Sequence, residues 1–305
     1  MDIWTDEGLR MADENAVCMD REYVKGILPK RKRNSHKGSY GRSAIVAGSA
    51  EYTGAAYLAA AACLRSGAGY TTLFVPKNIL YLYALKSPEI LLKSTNDGDR
   101  YEFNKKTMEQ VTGDSSVAYG MGMGVSEDVA WGAAYLLENY AGKLILDADG
   151  LNSLATYRAE ELPALFKRKK CDVVITPHVK EFSRLSGISV EEIEQNGLAL
   201  AKAYAKRHGI VVLLKNAASV ITDGELVAVN RSGNSGQAKG GSGDVLSGVV
   251  AGLCAMGASC LDGARAGAFL AGTAAELAVK TCSEYSLTAS DCIEKLGEAF
   301  LCVLQ

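Results

Sequence analysis

The stretch Asn230-Arg-Ser-Gly-Asn-Ser-Gly-Gln-Ala-Lys-Gly-Gly-Ser-Gly-Asp-Val-Leu-Ser-Gly248 carries residue types suited to chemistry on an anion. A glycine-rich loop runs directly into a small-residue helix, with one carboxylate, Asp244, at the junction. Glycine lacks the Cβ that would hold a phosphate away from backbone N–H groups. The helix aims the positive end of its dipole at the same point. Gly241, Ser242 and Gly243 are therefore candidates for an anion hole. Bound phosphate would repel an acid placed there, which points to Asp244 as a base for a neighbouring hydroxyl. The reaction classes that fit are phosphoryl transfer and phosphate-assisted elimination. The competing reading is a flexible turn with an N-capping aspartate. Small residues in a row, then a helix with Gly248, Ala251 and Gly252 that permits close approach, favour the first. No G-x-x-x-x-G-K-[ST] string occurs, so the cradle is not of the Walker type.

Further candidates follow apolar, strand-like runs. Gly120-Met-Gly-Met-Gly124 is dense enough in glycine for a flat or phosphorylated ligand to touch the backbone, where the plain alternative is a tight turn. Asp147, Asp149 and Asn152 are placed to order water or Mg²⁺ or to hold a ligand hydroxyl, against helix capping as the alternative. Mg²⁺ takes few protein ligands and keeps waters, so spacing does not decide direct binding. His178 follows Pro177, which stiffens its backbone, and Glu181 stands one helical turn on, placed to orient the ring. Lys215 ends a strand and offers charge to a phosphate, or simply snorkels. Lys239 is a second candidate cation, and Asn234 shares its loop.

The elements that must position these groups alternate. Strands are expected at 43–48, 70–75, 116–119, 143–146, 172–175, 210–214, 219–222 and 226–229, the last two flanking the hairpin signal Asp223-Gly224. Helices are expected at 54–66, 127–139, 189–208 and through most of the chain beyond Ser242. This alternation predicts an α/β fold with a mostly parallel, doubly wound sheet. In such sheets ligands sit beyond the carboxyl ends of the strands, where all the candidates fall. Residues 1–34 read as an N-terminal extension and 35–305 as a single domain, with no linker or repeat between.

Composition excludes several classes. A net charge of −2 in 305 residues argues against a nucleic-acid or membrane surface. Arg31-Lys32-Arg33 reads as a solvated loop. The N-terminus has the early acidic pair Asp6-Glu7 and no signal-peptide core, and no apolar run is long enough to span a bilayer. Eight cysteines without C-x-x-C spacing suggest reduced thiols in a cytoplasmic protein. With three histidines and no His/Cys cluster, a structural zinc is not expected. Trp4, Trp131 and the cysteines are assigned to packing.

The string Ala238-Lys-Gly-Gly-Ser-Gly-Asp-Val-Leu-Ser-Gly248 resembles the signature of the ribokinase-like superfamily, and within it the chain resembles the ADP/ATP-dependent NAD(P)H-hydrate dehydratases. Ser35-His-Lys-Gly-Ser-Tyr-Gly41 is similar to that family's opening loop. Gly48-Ser49, Tyr52-Thr-Gly-Ala-Ala56 and Arg65-Ser-Gly-Ala-Gly69 resemble its first strand–helix unit, and Gly120–Gly124 its glycine turn. Leu146-Asp-Ala-Asp-Gly-Leu-Asn152 and Thr176-Pro-His-x-x-Glu181 match its acidic strand end and histidine motif. The resemblance runs from about residue 30 to the C-terminus. Met121, Val179-Lys180, Asn216 and Ser242 depart from the pattern, and Lys180 adds a cation that bears on the choice between NADH and NADPH hydrates.

The resemblance implies a three-layer α/β/α sandwich and dehydration of hydrated NAD(P)H. It implies a phosphoryl donor, ADP or ATP, with Mg²⁺. Gly122, His178, Asp244 and one of Ala55 and Ala56 would meet the substrate. Lys215, Asn216, Ala217, Ala218, Ser219 and Gly243 would meet the nucleotide. It further implies a symmetric homo-oligomer such as a tetramer. The absence of a fused epimerase segment leans the expectation towards ADP and a separate NAD(P)H-hydrate epimerase. The alternatives are a small-molecule kinase of the same superfamily and a catalytically silent nucleotide-binding regulator.

Overall fold

Runs of mostly four to six residues, most of them apolar, are too short for helices and become strands, the central ones buried on both faces. In the computed structural model, which describes residues 13–305, they are β1 (Val17–Cys18), β2 (Arg42–Val46), β3 (Tyr70–Val75), β4 (Leu91–Ser94), β5 (Ser116–Tyr119), β6 (Lys143–Leu146), β7 (Asp172–Ile175), β8 (Val211–Leu214), β9 (Ser219–Thr222) and β10 (Val227–Asn230). They form one sheet in the order β1-β10-β9-β8-β7-β6-β5-β2-β3-β4. Only β9 runs antiparallel to its neighbours; every other pairing is parallel. This is the expected three-layer α/β/α sandwich.

Successive strand residues point to opposite faces. Val117, Tyr119, Leu144, Leu146, Val173 and Ile175 pack into one helical layer with Leu137, Leu154, Phe182 and Ala201. Ala118, Ile145 and Val174 pack into the other with Ala59, Val250, Ala251 and Ala268. At the β9–β10 hairpin, Gly224 takes a φ of 98° that favours glycine, and the Asp223 carboxylate accepts the N–H groups of Glu225 and Leu226. The outer strand β4 escapes a sequence reading because it is largely exposed, polar and at the sheet edge.

The start of the chain is tied to the body. β1 pairs in parallel with β10 (Val17 opposite Ala228, Cys18 opposite Val229). Helix α1 (Arg21–Ile27), capped by Asp20, buries Val24 and Leu28 against the last helices. The early acidic pair and Trp4 lie outside the described residues.

One contact sets the position of the glycine-rich loop. Helix α2 (Thr53–Arg65) packs on the helix that follows the loop, Ser242–Ala255. A Cβ on Gly248 would lie 2.1 Å from the Ala59 carbonyl oxygen, and one on Gly252 2.6 Å from that of Cys63. The two backbones therefore touch, as the small-residue stripe predicted. Gly248→Ala should separate the helices and cost about 1–3 kcal/mol or more, read as a lower midpoint in urea denaturation.

Candidate active site

Strands β5 to β8 are parallel neighbours, so their carboxyl ends share one rim. On it stand Gly120–Gly124, Asp147, His178 and Lys215, in strand order. Lys215 pairs with His178 in an isolated parallel bridge, and its N–H donates to the Pro177 carbonyl at 2.8 Å. The helix Ser242–Ala255 delivers the fifth component, the end of the glycine-rich loop.

At that end Gly241 is the left-handed cap (φ 100°), and Asp244 occupies the third helical position. The Ser242 N–H points at the Lys239 carbonyl at 3.5 Å, and the first closed helical bond is Val245 N–H to Gly241 O at 3.0 Å. The N–H groups of Gly243 and Asp244 find no acceptor among the described residues. A helix N-terminus leaves such donors for a ligand. The half-buried Asp244 carboxylate accepts no hydrogen bond from a described group, so it is not serving as a cap. Burial, then the negative charge of Asp147, pushes its pKa up to about 7, with Lys215 opposing and Asp149 adding to the rise.

Asp147 is the anchor of the rim. Its carboxylate is 1% exposed. Oδ1 accepts from Lys215 Nζ at 2.9 Å and Oδ2 from Ser247 Oγ at 2.7 Å. Ser247 Oγ also lies 3.4 Å from Thr176 Oγ1. An ideal Cβ on Gly243 would sit 3.3 Å from Lys215 Nζ and 3.7 Å from Asp147 Oδ2, so the lysine faces the mouth of the amide pocket. Glu181 Oε2 flanks Lys215 Nζ at 3.9 Å.

His178 and Glu181 form a capping box on the helix Val179–Ser186. His178 Nδ1 accepts the N–H groups of Lys180 (3.1 Å) and Glu181 (3.2 Å), and Glu181 Oε2 accepts the His178 N–H at 2.9 Å. A ring whose Nδ1 accepts carries its neutral proton on Nε2. Burial, then Lys215, holds its pKa below the ordinary value, which favours that neutral form. The half-exposed ring thus carries its proton on Nε2, which lies 3.4 Å from Glu181 Oε1.

The glycine turn meets the start of α2. A Cβ on Gly122 (φ 63°) would sit 2.7 Å from the Cβ of Ala55 and 2.9 Å from that of Tyr52. Ala55 is half-buried and faces this turn, whereas Ala56 is fully buried under Gly48. The two alanines, equivalent in sequence, are separated by the fold. Asp149 Oδ2 accepts the Gly124 N–H at 2.8 Å; burial raises its pKa, and Asp147 adds to the rise.

Residues 215–219 close on themselves. Ala217 N–H donates to Asn216 Oδ1 at 2.8 Å, and Ser219 Oγ donates to the Asn216 carbonyl at 3.1 Å. Asn216 and Ala217 are exposed, but the Ala218 side chain is in the core, so only its backbone is on offer.

Three candidates are engaged elsewhere. Asn152 Oδ1 accepts from Arg184 Nη1 at 2.7 Å. Lys239 Nζ donates to the carbonyls of Tyr285 (2.5 Å) and Leu287 (2.8 Å), pinning its loop. Asn234 Oδ1 accepts the Gly236 N–H at 3.0 Å and shapes the turn before the glycine run. Ser247 and Tyr52 lie within the motifs, yet the sequence alone assigns them no role. For Ser247 the signal was present: it lies four residues after Gly243, on the same helix face.

The family profile described as NAD(P)H-hydrate dehydratase matches residues 43–297. The chain belongs to this family. It is 33% identical over 246 residues to the ADP-dependent (S)-NAD(P)H-hydrate dehydratase of Streptococcus thermophilus, covering 79% of this chain and 83% of that protein. It is 34% identical over 286 residues to the bifunctional NAD(P)H-hydrate repair enzyme Nnr of Vibrio cholerae, covering 92% of this chain and 54% of the relative. The chain thus spans about half the length of the bifunctional relatives it matches. A crystal structure of the ADP/ATP-dependent NAD(P)H-hydrate dehydratase of Bacillus subtilis, co-crystallised with ATP and Mg²⁺, superposes with a TM-score of 0.80 at 28% identity over 94% of this chain and 98% of that one.

Within this dehydratase fold the raised Asp244 pKa has a consequence for stability. In the unfolded chain the carboxyl ionises near its ordinary value of 3.8, and in the fold near 7. The fold therefore favours the protonated acid, and its ionisation destabilises progressively from about pH 4 to above pH 7. Asp244→Asn should raise the Tm at pH 8, and the gain should fade as pH falls towards 4, in thermal melts of both proteins.

Proposed function

We propose that this chain restores NAD(P)H from its S-hydrate using ADP or ATP as phosphoryl donor. The observation that carries the reading is an Asp244 carboxylate without a hydrogen bond beside two uncommitted helix N–H groups, with the Lys215 ammonium against the same pocket. Membership of the dehydratase family supports it.

A hydroxyl on the reduced ring leaves poorly, whereas a phosphate ester leaves well. Asp244 takes the hydroxyl proton as the hydroxyl oxygen attacks the terminal phosphorus of the nucleotide. The bond to the leaving nucleotide breaks, giving AMP from ADP or ADP from ATP. The N–H groups at Gly243 and Asp244, together with Lys215, meet the charge on the transferring group, where catalysis of such transfers mostly lies. The ring nitrogen lone pair then expels phosphate, and loss of a proton from the adjacent carbon restores the double bond. His178 donates its Nε2–H to the substrate, and Ala55 and Gly122 leave room for a flat ring at the other side of the rim. Asn216–Ser219 frame the adenosine through backbone groups.

Mg²⁺ fits the acids left over. No described trio of ligating side chains forms a closed cage, and Asp149, bonded to the Gly124 N–H, stands on the same rim as the amide pocket. That donor set suits a hard cation that arrives on phosphates and keeps its waters. When bound, it supplies positive charge to the phosphates. An NAD(P)H-hydrate epimerase, on the same or another polypeptide, would supply the S form; that the longer relatives are named bifunctional NAD(P)H-hydrate repair enzymes supports a paired second activity. The cysteines, scattered without C-x-x-C spacing, suit a reducing compartment such as the cytoplasm, and no described helix is long and apolar enough to cross a membrane. A symmetric homo-oligomer also belongs to this proposal.

The test mixes the protein with hydrated NADH or NADPH, Mg²⁺ and either nucleotide, and follows recovery of the reduced nicotinamide's near-ultraviolet absorbance. A stable phosphorylated product would instead favour a small-molecule kinase. Asp244→Asn should bind nucleotide normally but lose roughly 10²–10⁴-fold in kcat. The base must be ionised, so kcat/KM should climb with pH through about 7; a flat profile there would remove Asp244 from the proton transfer.

A further inference from the structure

We infer that Asp147 is a positioning residue for the nucleotide phosphate: with Ser247 it clamps the Lys215 ammonium against the mouth of the amide pocket at Gly243. The inference rests on the reading that this site takes a nucleoside di- or triphosphate, and it gives Asp147 a task other than holding metal or water.

Four observations converge on it. Asp147 stands at the N-cap of the helix Ala148–Tyr157, where an aspartate usually caps the backbone, yet its side chain makes no cap bond. Forgoing a cap costs about 1 kcal/mol. The next residue, Ala148, has a φ of 48°, the only positive value at a described residue other than glycine. Such local strain gathers where surrounding structure overrides backbone preference. Both carboxylate oxygens already accept protein donors, Lys215 Nζ at 2.9 Å and Ser247 Oγ at 2.7 Å, in a site 1% exposed. Finally, the lysine so held lies against the Gly243 backbone, with 3.3 Å between Nζ and the place a Cβ would take.

The alternative for Lys215 explains why a clamp is needed. Its four-carbon stem is flexible, and a free lysine carries about 2 kcal/mol of rotamer entropy. Glu181 Oε2 waits 3.9 Å away on the His178 side. Without the Asp147 charge, the ammonium would turn towards Glu181 and leave the pocket mouth. Ser247 completes the clamp from the catalytic helix itself, so the element that carries Asp244 also fixes the carboxylate that holds the lysine.

The test is displacement of a fluorescent ADP analogue by ADP and by adenosine, which lacks any phosphate, at fixed Mg²⁺. In Asp147→Asn, ADP should bind at least 10-fold more weakly while adenosine stays within 2-fold of wild type. Lys215→Met should lose a similar factor, and the double variant should lose no more than Lys215→Met alone, since the two act as one unit. Ser247→Ala, which removes a single hydroxyl, should show the same pattern at smaller size and serves if Asp147→Asn does not fold. Parallel losses for ADP and adenosine, or additive losses in the double variant, would overturn the clamp. None of these measurements uses hydrated cofactor. A wild type that binds ADP but leaves hydrated NAD(P)H untouched would sink the proposed function and leave the clamp standing. A wild type that binds ADP no more tightly than adenosine would sink the clamp.

Discussion

The contact between the helices 53–65 and 242–255 governs the site. Gly248 and Gly252 let one backbone lie on the carbonyls of Ala59 and Cys63, a spacing that any side chain would widen. Ser116 Oγ adds a buried bond to the Ala251 carbonyl at 2.8 Å, tying the same helix to the central strand β5. These contacts place the helix N-terminus, worth about half a positive charge, beside the carboxyl ends of the strands. Shifted by a fraction of a turn, the uncommitted N–H groups and Asp244 would face different neighbours.

Around that positive end the chain gathers more acid than base. Asp147, Asp244 and Glu181 act on Lys215, Asp149 adds its charge beside Asp244, and Arg184 reaches Glu181 from the other side. Their environments divide the work, as in other sites where paired carboxylates take different roles. Asp147 is matched by Lys215 and Ser247, Asp149 by the Gly124 N–H, and Glu181 by the His178 backbone. Asp244 alone is left without a donor, and burial beside Asp147 makes it the readiest proton acceptor. An unsatisfied acid in this position disfavours the folded state whenever it is ionised.

The histidine side of the rim follows the same economy of local structure. A capping box normally only starts a helix. At His178 it also decides which ring nitrogen carries the proton, because two backbone N–H groups occupy Nδ1. Glu181 closes the box and borders Lys215, so the histidine ring and the lysine ammonium share one neighbour.

Much of this could be read from local pattern. Strands β3, β5, β6, β7 and β9 and the helix 127–139 appear where the runs placed them, because a strand buried on both faces is a short apolar run and a capped helix announces its start. Parallel order then puts Gly120–Gly124, Asp147, His178 and Lys215 on one rim. What local pattern could not reach were pairings between distant residues. Lys215 meets Asp147 across 68 positions and Ser247 meets it across 100. Ala55 and Ala56 differ only in which way α2 turns them, towards Gly122 or under Gly48. Asn152 and Lys239 looked free until Arg184 and the carbonyls of 285 and 287 came within reach. Periodicity is a property of neighbours in the chain and survives without a fold. The partner of a charged side chain is chosen by packing, which exists only once the layers have closed.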